Sequence, residues 1–432
     1  MNMQKISISI LLLFISLAGF SQWECPSKLP VHLKPFYEKV PLNWAAEITP
    51  AFGVMTDRTI MNGMVFGALQ FVGGNHEIYV EGGMKYWENS NELYTADDRK
   101  MGLREAFYGF SNTNNTLRVG FQSMTSGDYL LVNERAYGVA YDRIFGAFTM
   151  NLDVASVTKD FSRAGVFCTK SYLYNLVIDR PSIPLGSLIG ETNFGALALH
   201  FDPQKHKKLK LITEEDNSSD DEFQEFEEFE SFDEFEEVDE EVAKDPFIQV
   251  SDLGLVVYNE FGAMISDVRL WGGAFGELQF PWDVKVKGEL LWQNVDANKG
   301  TIAFLGIDKV HFWPKGNRTI FSAGYFAMLE QDINARAFMS FSNMWYGEVM
   351  RLDGVDMPFY QLAVKHNFPK IKTHFKLQYV DQLRSQQMSE LDLAVGKTFW
   401  KFLKVTAMVA ALNANELNDT YYMSRVEMRI TF

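Results

Sequence analysis

Long apolar runs, cysteines and catalytic motifs are scarce in this sequence. A transmembrane helix needs about 20 mostly apolar residues, and no segment after the N-terminus approaches that length. The seven histidines show no metal-site spacing, and there is neither a nucleophile elbow nor a glycine-rich phosphate loop. We therefore expect no enzyme activity, no cofactor, no metal and no nucleic-acid partner.

The N-terminus has the pattern of a secretory signal peptide. Lys5 precedes a short apolar stretch from Ile6 to Phe14, and small residues follow before Gln22. We expect residues 1–22 to be the signal peptide and residues 23–42 to be a periplasmic N-terminal segment. Cys25 lacks the preceding lipobox-like run of a lipoprotein.

An exported chain without helical spans is either a large soluble β-protein or a membrane β-barrel. Aromatic residues make up 14% of this chain, and it ends in the stretch YYMSRVEMRITF. There Met428, Ile430 and Phe432 alternate with charged or polar residues, as in a strand with one apolar face. An aromatic final residue within such a strand resembles the closing strand of Gram-negative outer-membrane barrels, although a soluble sandwich could also end in this way.

Many segments of about ten residues repeat this alternation, as a transmembrane barrel requires. In WDVKVKGELLW the apolar Val284, Val286 and Leu290 alternate with charged residues, and TLRVGFQ places Leu117, Val119 and Phe121 on the apolar face. Assigning alternating directions backwards from Phe432 predicts an all-β transmembrane antiparallel barrel over residues 43–432. We expect about 18 strands, with 16 as the alternative, and both termini in the periplasm.

The predicted joints between strands alternate in length. Short joints are expected at 141–143, 280–283, 313–317, 368–370 and 399–401, and barrels of this kind have short periplasmic turns and longer external loops. Two external connections, 156–192 and 329–357, are long enough to fold into the lumen as constriction loops, or to cover it. Cys25 and Cys168 fall on opposite sides of the membrane in this scheme, which favours two free thiols.

The polar faces of the predicted strands should line a lumen. Charged side chains there could set the selectivity of a channel; alternatively, they pair across strands and merely fill a polar interior. The candidate lumen and selectivity residues are Arg118, Gln122, Arg269, Lys285, Lys287, Glu289, Lys376, Arg425, Glu427 and Arg429, with Lys365, Glu277 and Asp392 on the same faces.

An acidic, phenylalanine-rich segment interrupts the barrel at residues 204–246. Between Glu214 and Asp245 there are 18 acidic residues and one lysine, so the rest of the chain, whose total charge is −16, is close to neutral. Such charge density predicts a disordered segment, and the topology places it on the periplasmic side. It is either a solvated spacer or an arm that docks a partner protein through Phe223, Phe226, Phe229, Phe232 and Phe235.

The stretch from Leu103 to Arg143 resembles the alginate-export-like family of outer-membrane barrels and their porin relatives. The matching residues are Leu103-Arg104-Glu105-Ala106, Gly120, Gln122, Gly127-Asp128 and Tyr137-Gly138-Val139. Phe121 stands where that family has an arginine, which removes a positive charge. The resemblance implies an 18-stranded channel for carbohydrate-like or small polar solutes.

Two functions follow from these patterns. The first is an outer-membrane channel for small polar or acidic, carbohydrate-like solutes. The alternative is an accessory barrel of a larger outer-membrane machine for barrel assembly, secretion or polymer export, which docks partners through the acidic segment. In both cases the expected surroundings are the outer-membrane lipids of a Gram-negative bacterium.

Overall fold

The computed structural model describes residues 33–37, 40–89, 98–126, 132–157, 192–203, 248–261, 269–295, 298–331, 358–383, 388–400, 402–415 and 419–432. Nineteen strands make up a single antiparallel sheet. Within the described residues, no helix is long and apolar enough to cross a membrane.

The strands follow one another around the sheet in chain order. They are β1 (Lys34–Tyr37), β2 (Val40–Met55), β3 (Thr59–Gly73), β4 (His76–Asn89), β5 (Asp98–Asn112), β6 (Asn115–Ser126), β7 (Val132–Phe145), β8 (Phe148–Val157), β9 (Thr192–Phe201), β10 (Gln249–Phe261), β11 (Arg269–Phe280), β12 (Val284–Val295), β13 (Asn298–Phe312), β14 (Arg318–Gln331), β15 (Phe359–Phe368), β16 (Thr373–Gln382), β17 (Met388–Phe399), β18 (Leu403–Ala414) and β19 (Tyr421–Thr431).

The sheet closes on itself because its last strand pairs with β2. The pairing runs from Met423 opposite Met55 to Thr431 opposite Glu47. Since β2 to β19 form one ring, the barrel has 18 strands. The expected strand number is confirmed and the 16-strand alternative is wrong. Closure leaves no unpaired edge around the ring, which a wall inside a bilayer requires.

The short strand β1 is an addition to the ring that the sequence patterns did not predict. Lys34 pairs with Trp44 and Tyr37 pairs with Val40, on the same edge of β2 that β19 occupies further along. β1 therefore continues the line of β19 beyond the C-terminal Phe432. β2 also begins at Val40 rather than at residue 43, because its first residues have β1 as a hydrogen-bonding partner.

Seven tight turns share one end of the barrel, here named the tight-turn end. They connect β3 to β4, β5 to β6, β7 to β8, β11 to β12, β13 to β14, β15 to β16 and β17 to β18, and the largest is Trp313–Asn317. The expected joint at 141–143 is wrong, because Tyr141, Asp142 and Arg143 lie within β7. The chain reverses at Gly146, whose φ of 66° suits glycine.

The opposite end is here named the long-connection end. It carries the connections 158–191 and 332–357, but β2 joins β3 there through residues 56–58 and β12 joins β13 through residues 296–297. The expected alternation of short and long joints is therefore found in part. The C-terminal Phe432 lies at the tight-turn end, where its amide N–H donates to the carbonyl of Ala46. The expectation that this end faces the periplasm stays a prediction.

Side chains alternate between an apolar outer wall and a mixed inner wall. On β2, for example, Ile48, Phe52 and Val54 are exposed, whereas Glu47 and Thr49 on either side of Ile48 are buried. Exposed large apolar residues recur on nearly every strand, far beyond the apolar patch of a few hundred square ångströms that a soluble monomer exposes. The fold is therefore that of a transmembrane β-barrel, with its outer wall against lipid.

One residue departs from the expected alternation. Phe121, expected on the outer face with Leu117 and Val119, is only 4% exposed, whereas Val119 is exposed. The neighbouring Gly120 has a φ of 140°, and a Cβ placed there would lie 2.3 Å from the carbonyl oxygen of Ala106. β6 thus approaches β5 too closely at this point for a regular pleat.

Candidate functional site

The inner wall of the barrel is the candidate functional site, and its two halves differ in chemistry. Toward the tight-turn end it is polar and partly accessible. Toward the long-connection end it is buried, with an aromatic band from β9 to β15 and a few polar groups such as Glu260 and Gln293. Because cross-strand partners share a face, the register assigns each side chain to a wall.

Lysines and carboxylates alternate on the polar half between β11 and β13. Nζ of Lys285 lies 2.9 Å from Oε1 of Glu277, and Lys285 has Asp308 as its cross-strand partner on β13. The ammonium of Lys287 lies 5.7 Å from the centre of the Phe304 ring, within cation–π range. This part of the wall offers both charge signs to a passing solute.

The neighbouring sector, β14 to β16, is basic. Lys365 and Lys376 are direct cross-strand partners on the inner wall, and Arg318 lies on the same face of β14. The inward positions of these strands carry no carboxylate within the part of the chain that is described. This sector therefore concentrates positive charge on the inner wall.

The wall half the ring away is acidic. Glu81 and Glu105 are cross-strand partners on β4 and β5, and both are buried. The hydroxyl of Tyr79 donates to Glu81 at 2.8 Å. Asp153 on β8 is also buried, and Asp142 on β7 accepts a hydrogen bond from Asn151 at 2.7 Å.

An aromatic band lines the long-connection half from β9 to β15. The rings of Phe194 and Tyr258 lie 5.3 Å apart, and Tyr258 meets Trp271 edge-on at 5.1 Å. Further round the wall, Phe326 lies between Phe304 at 4.6 Å and Phe359 at 4.5 Å. Most of these rings are fully buried. The band therefore packs as an apolar core inside the barrel and narrows the space at that level.

All ten predicted lumen residues lie on inward-facing positions of their strands, but they differ in accessibility. Gln122, Glu289, Arg425 and Glu427 are buried. Arg118, Arg269, Lys285, Lys287, Lys376 and Arg429 remain partly accessible. Whether any of them sets selectivity stays a prediction.

Several lumen charges are paired, as the alternative interpretation expected. Nη1 of Arg269 lies 3.2 Å from Oε2 of Glu260, and Nε of Arg429 donates to Oε2 of Glu47 at 2.9 Å. These pairs fix inner-wall side chains in place. The sequence interpretation did not include Glu260, Glu47 or the aromatic band.

The pattern offered a signal for the band that was not used. Tyr258, Trp271 and Phe326 occupy inward positions by simple alternation from Glu260, Arg269 and Ser322. On β14 the polar Ser322 lies toward the tight-turn end and the aromatic Phe326 toward the other end of the same face, which indicates a lumen that changes character along its axis.

Some predictions concern residues outside the described part of the chain. These are the signal peptide, the two cysteines, both long connections and the acidic segment with Phe223, Phe226, Phe229, Phe232 and Phe235. Among the described residues, no group of three or more His, Cys, Asp or Glu side chains could hold a metal ion.

These features define the class: a transmembrane barrel with a polar inner wall, the architecture of a porin. Comparison with solved structures agrees with this class. Pseudomonas aeruginosa OpdK, solved with vanillate, is similar to this chain with a TM-score of 0.54 at 8% identity, over 90% of this chain and 98% of that one.

Two further Pseudomonas aeruginosa proteins have similar structures. OccK5 (OpdH) gives a TM-score of 0.53 at 12% identity, over 92% of this chain and 99% of that one. OprD gives a TM-score of 0.53 at 10% identity, over 96% of this chain and 99% of that one. At such identities the likeness shows the shared fold. No family model matches the sequence, and no curated protein is similar to it, so the alginate-export-like resemblance is not confirmed.

Proposed function

We propose that this protein is a porin-like channel in the outer membrane of a Gram-negative bacterium, and that it passes small polar or acidic, carbohydrate-like solutes. The apolar outer wall, the closed ring of 18 strands and the similarity to OprD and its relatives support the location and the channel role.

The observation that carries the preference for acidic solutes is the cross-strand pair Lys365 and Lys376 on the inner wall. Two ammonium groups at this spacing raise the local potential, and the low-dielectric wall behind them strengthens their field. A solute carboxylate passing this level therefore gains interaction energy. Vanillate, the ligand in the OpdK structure, carries such a carboxylate on an aromatic ring.

The aromatic band narrows the path at the other half of the lumen. Its rings are buried against one another, so the band limits the size of a passing solute. The lysines of β15 and β16, toward the tight-turn end, supply the charge preference. This arrangement suits small acids.

Planar bilayer recordings of the purified protein test the channel. The wild type should conduct, and Lys365→Glu together with Lys376→Glu should shift the reversal potential in a KCl gradient toward cation preference. Lys397→Glu is the matched control, because Lys397 lies on the outer wall and its ammonium rests over Phe399 at 5.5 Å. A protein that folds but never conducts, or a selectivity that the inner substitutions leave unchanged, would contradict the proposal.

The accessory-barrel alternative is favoured by one placement. β9 ends at Phe201 and β10 begins at Gln249, at the end of the barrel where every other connection is a tight turn. A channel alone has no need of so long a connection there. Deleting residues 204–246 should leave conductance unchanged and should remove any protein that co-purifies with the wild type from its native outer membrane.

A further inference from the structure

A hydrogen-bonded polar cluster interrupts the apolar outer wall close to the tight-turn end. His311 of β13 pairs with Thr319 of β14, and Thr319 pairs with His366 of β15, so all three share the outer face. Further from the turns, the outward positions of the same strands are apolar: Ile307, Phe321 and Leu362. Polar groups facing hydrocarbon are costly unless they have partners.

Trp313, in the tight turn after β13, supplies one of these partners. Its Nε1–H donates to Oγ1 of Thr319 at 2.7 Å, and the same oxygen lies 2.7 Å from Nδ1 of His366. Trp313 also holds the ring of His311 edge-on, with the ring centres 4.3 Å apart. The indole thereby orients His311 on β13 and Thr319 on β14.

One nitrogen of this cluster is not satisfied. Because the indole can only donate, Oγ1 of Thr319 accepts there and can give its own hydrogen to Nδ1 of His366. Nε2 of His366 is buried and has no hydrogen-bond partner among the described residues. Buried polar atoms are nearly always paired in folded proteins, so this nitrogen indicates a partner outside the described residues.

Lys309 brings a positive charge to the same place. It is one outward position further from the turn than His311, about 7 Å along the strand, and it lies opposite Val284 and Phe321. The structure pairs it with no carboxylate within the described ranges. An ammonium on a lipid-facing wall must extend its stem toward the interface to find an anion.

We propose that Lys309, His311, Trp313, Thr319 and His366 form a site for the phosphate group of an anionic phospholipid. The ammonium supplies the charge, the exposed imidazole of His311 supplies an N–H donor, and Trp313 marks the level of the head groups. Ile307 and Phe321 line the path of the acyl chains. The proposal rests on the orientation in which the tight turns are periplasmic, because that leaflet of the outer membrane consists of phospholipid.

Native mass spectrometry of the full-length protein, released from detergent micelles with added phosphatidylglycerol, tests the site. The wild type should retain phosphatidylglycerol more strongly than phosphatidylcholine. Lys309→Ala should weaken that binding about fivefold, the effect of one basic residue at a membrane surface. Lys309→Arg should retain it, and Lys397→Ala should also retain it because that lysine lies two strands away from the cluster.

The outcomes separate the possible sources of the phosphate. Equal retention of both lipids, or equal loss in Lys309→Ala and Lys397→Ala, would overturn the site. Stronger retention of lipid A than of phosphatidylglycerol would also overturn it, because the phosphate would then belong to the other leaflet. If Lys309→Ala fails to fold, His311→Ala replaces it, with the same loss expected. Conductance is recorded in parallel, so that a failed lipid site and a failed channel remain distinguishable.

Discussion

The hydroxyl of Tyr421 donates a hydrogen bond of 2.9 Å to Oδ1 of Asp57. Tyr421 begins the last strand, and Asp57 lies in the turn that ends the first strand of the ring. Asp57 also accepts from Arg58, and the Tyr422 amide N–H donates to Oγ1 of Thr56 at 2.7 Å. Side chains therefore fasten the closing seam where the main-chain pairing of β19 with β2 ends.

Tyr421→Phe should weaken this seam. It removes one hydrogen bond to a partly exposed carboxylate, which we expect to cost about 1 kcal/mol. Thermal unfolding of the purified protein in detergent, followed by circular dichroism, measures the loss. Tyr422→Phe is the control, because its ring lies on the outer wall and its contribution to the seam is made by the main chain. Equal melting of wild type and Tyr421→Phe would show that the strand ladder alone closes the ring.

The same seam should make the stability of the folded barrel depend on pH. Burial alone would raise the pKa of Asp57, but hydrogen bonds from Arg58 and Tyr421 outweigh it and lower that pKa below its usual value of 3.8. A lowered folded-state pKa contributes stability above pH 3.8, which is lost as the pH falls toward the folded value. Melting temperatures between pH 7 and pH 3 should fall more steeply for the wild type than for Asp57→Asn. Parallel curves would contradict this.

Two lumen ion pairs should contribute differently to the free energy of unfolding, because one is buried and the other is partly exposed. Glu260 is buried against Arg269, whereas the side chain of Lys285, which forms an ion pair with Glu277, is 42% exposed. Removing one partner of a buried pair costs about 3–5 kcal/mol, and an exposed pair contributes about 1 kcal/mol or less. Urea unfolding should therefore show a large loss for Glu260→Gln and a small one for Glu277→Gln. A larger loss for Glu277→Gln than for Glu260→Gln would mean that the inner wall is packed more tightly in the tight-turn half.

The sequence predicted the ring better than it predicted the interior. Period-two alternation and the C-terminal Phe432 were enough to find all 18 strands, because a lipid-facing wall must be apolar at every second residue. The strand β1 escaped notice because four residues are too few to show a period. The turn at Gly146 was predicted too early in the chain, because Asp142 is a turn-forming residue type that here lies within β7.

The partners of the lumen residues could not be derived from alternation. It places Lys285 and Glu277 on one face, but the register between strands decides that they meet. The same limit applies to the outer polar cluster, in which His311, Thr319 and His366 come from three strands. The aromatic band was missed because Phe304 and Leu305 are both apolar, so the faces of β13 are not distinguished by polarity at that point.

The aromatic band should control the width of the lumen at its level. Phe326→Ala removes the ring between Phe304 and Phe359, and a cavity of this kind costs about 3–5 kcal/mol in a packed core. If the space opens to the lumen, single-channel conductance should rise as well. Phe321→Ala is the matched control on the same strand, because Phe321 faces lipid and its removal should leave conductance unchanged. Unchanged conductance in both variants would place the narrowest point elsewhere.

The orientation of the barrel can be tested with cysteines at its two ends. In a background with Cys25 and Cys168 replaced by serine, Asn114→Cys lies in the tight turn between β5 and β6, and Asp419→Cys lies at the other end, before β19. Both positions are exposed, so burial cannot account for a difference between them. We expect a membrane-impermeant maleimide to label Asp419→Cys on intact cells and to reach Asn114→Cys only after the outer membrane is broken, because outer-membrane barrels have their short turns in the periplasm. Labelling after cell disruption is the control for reactivity at each site. If Asn114→Cys reacts on intact cells and Asp419→Cys does not, the barrel is inverted, the lysine pair Lys365 and Lys376 lies at the external mouth, and solutes meet the basic wall before the aromatic band.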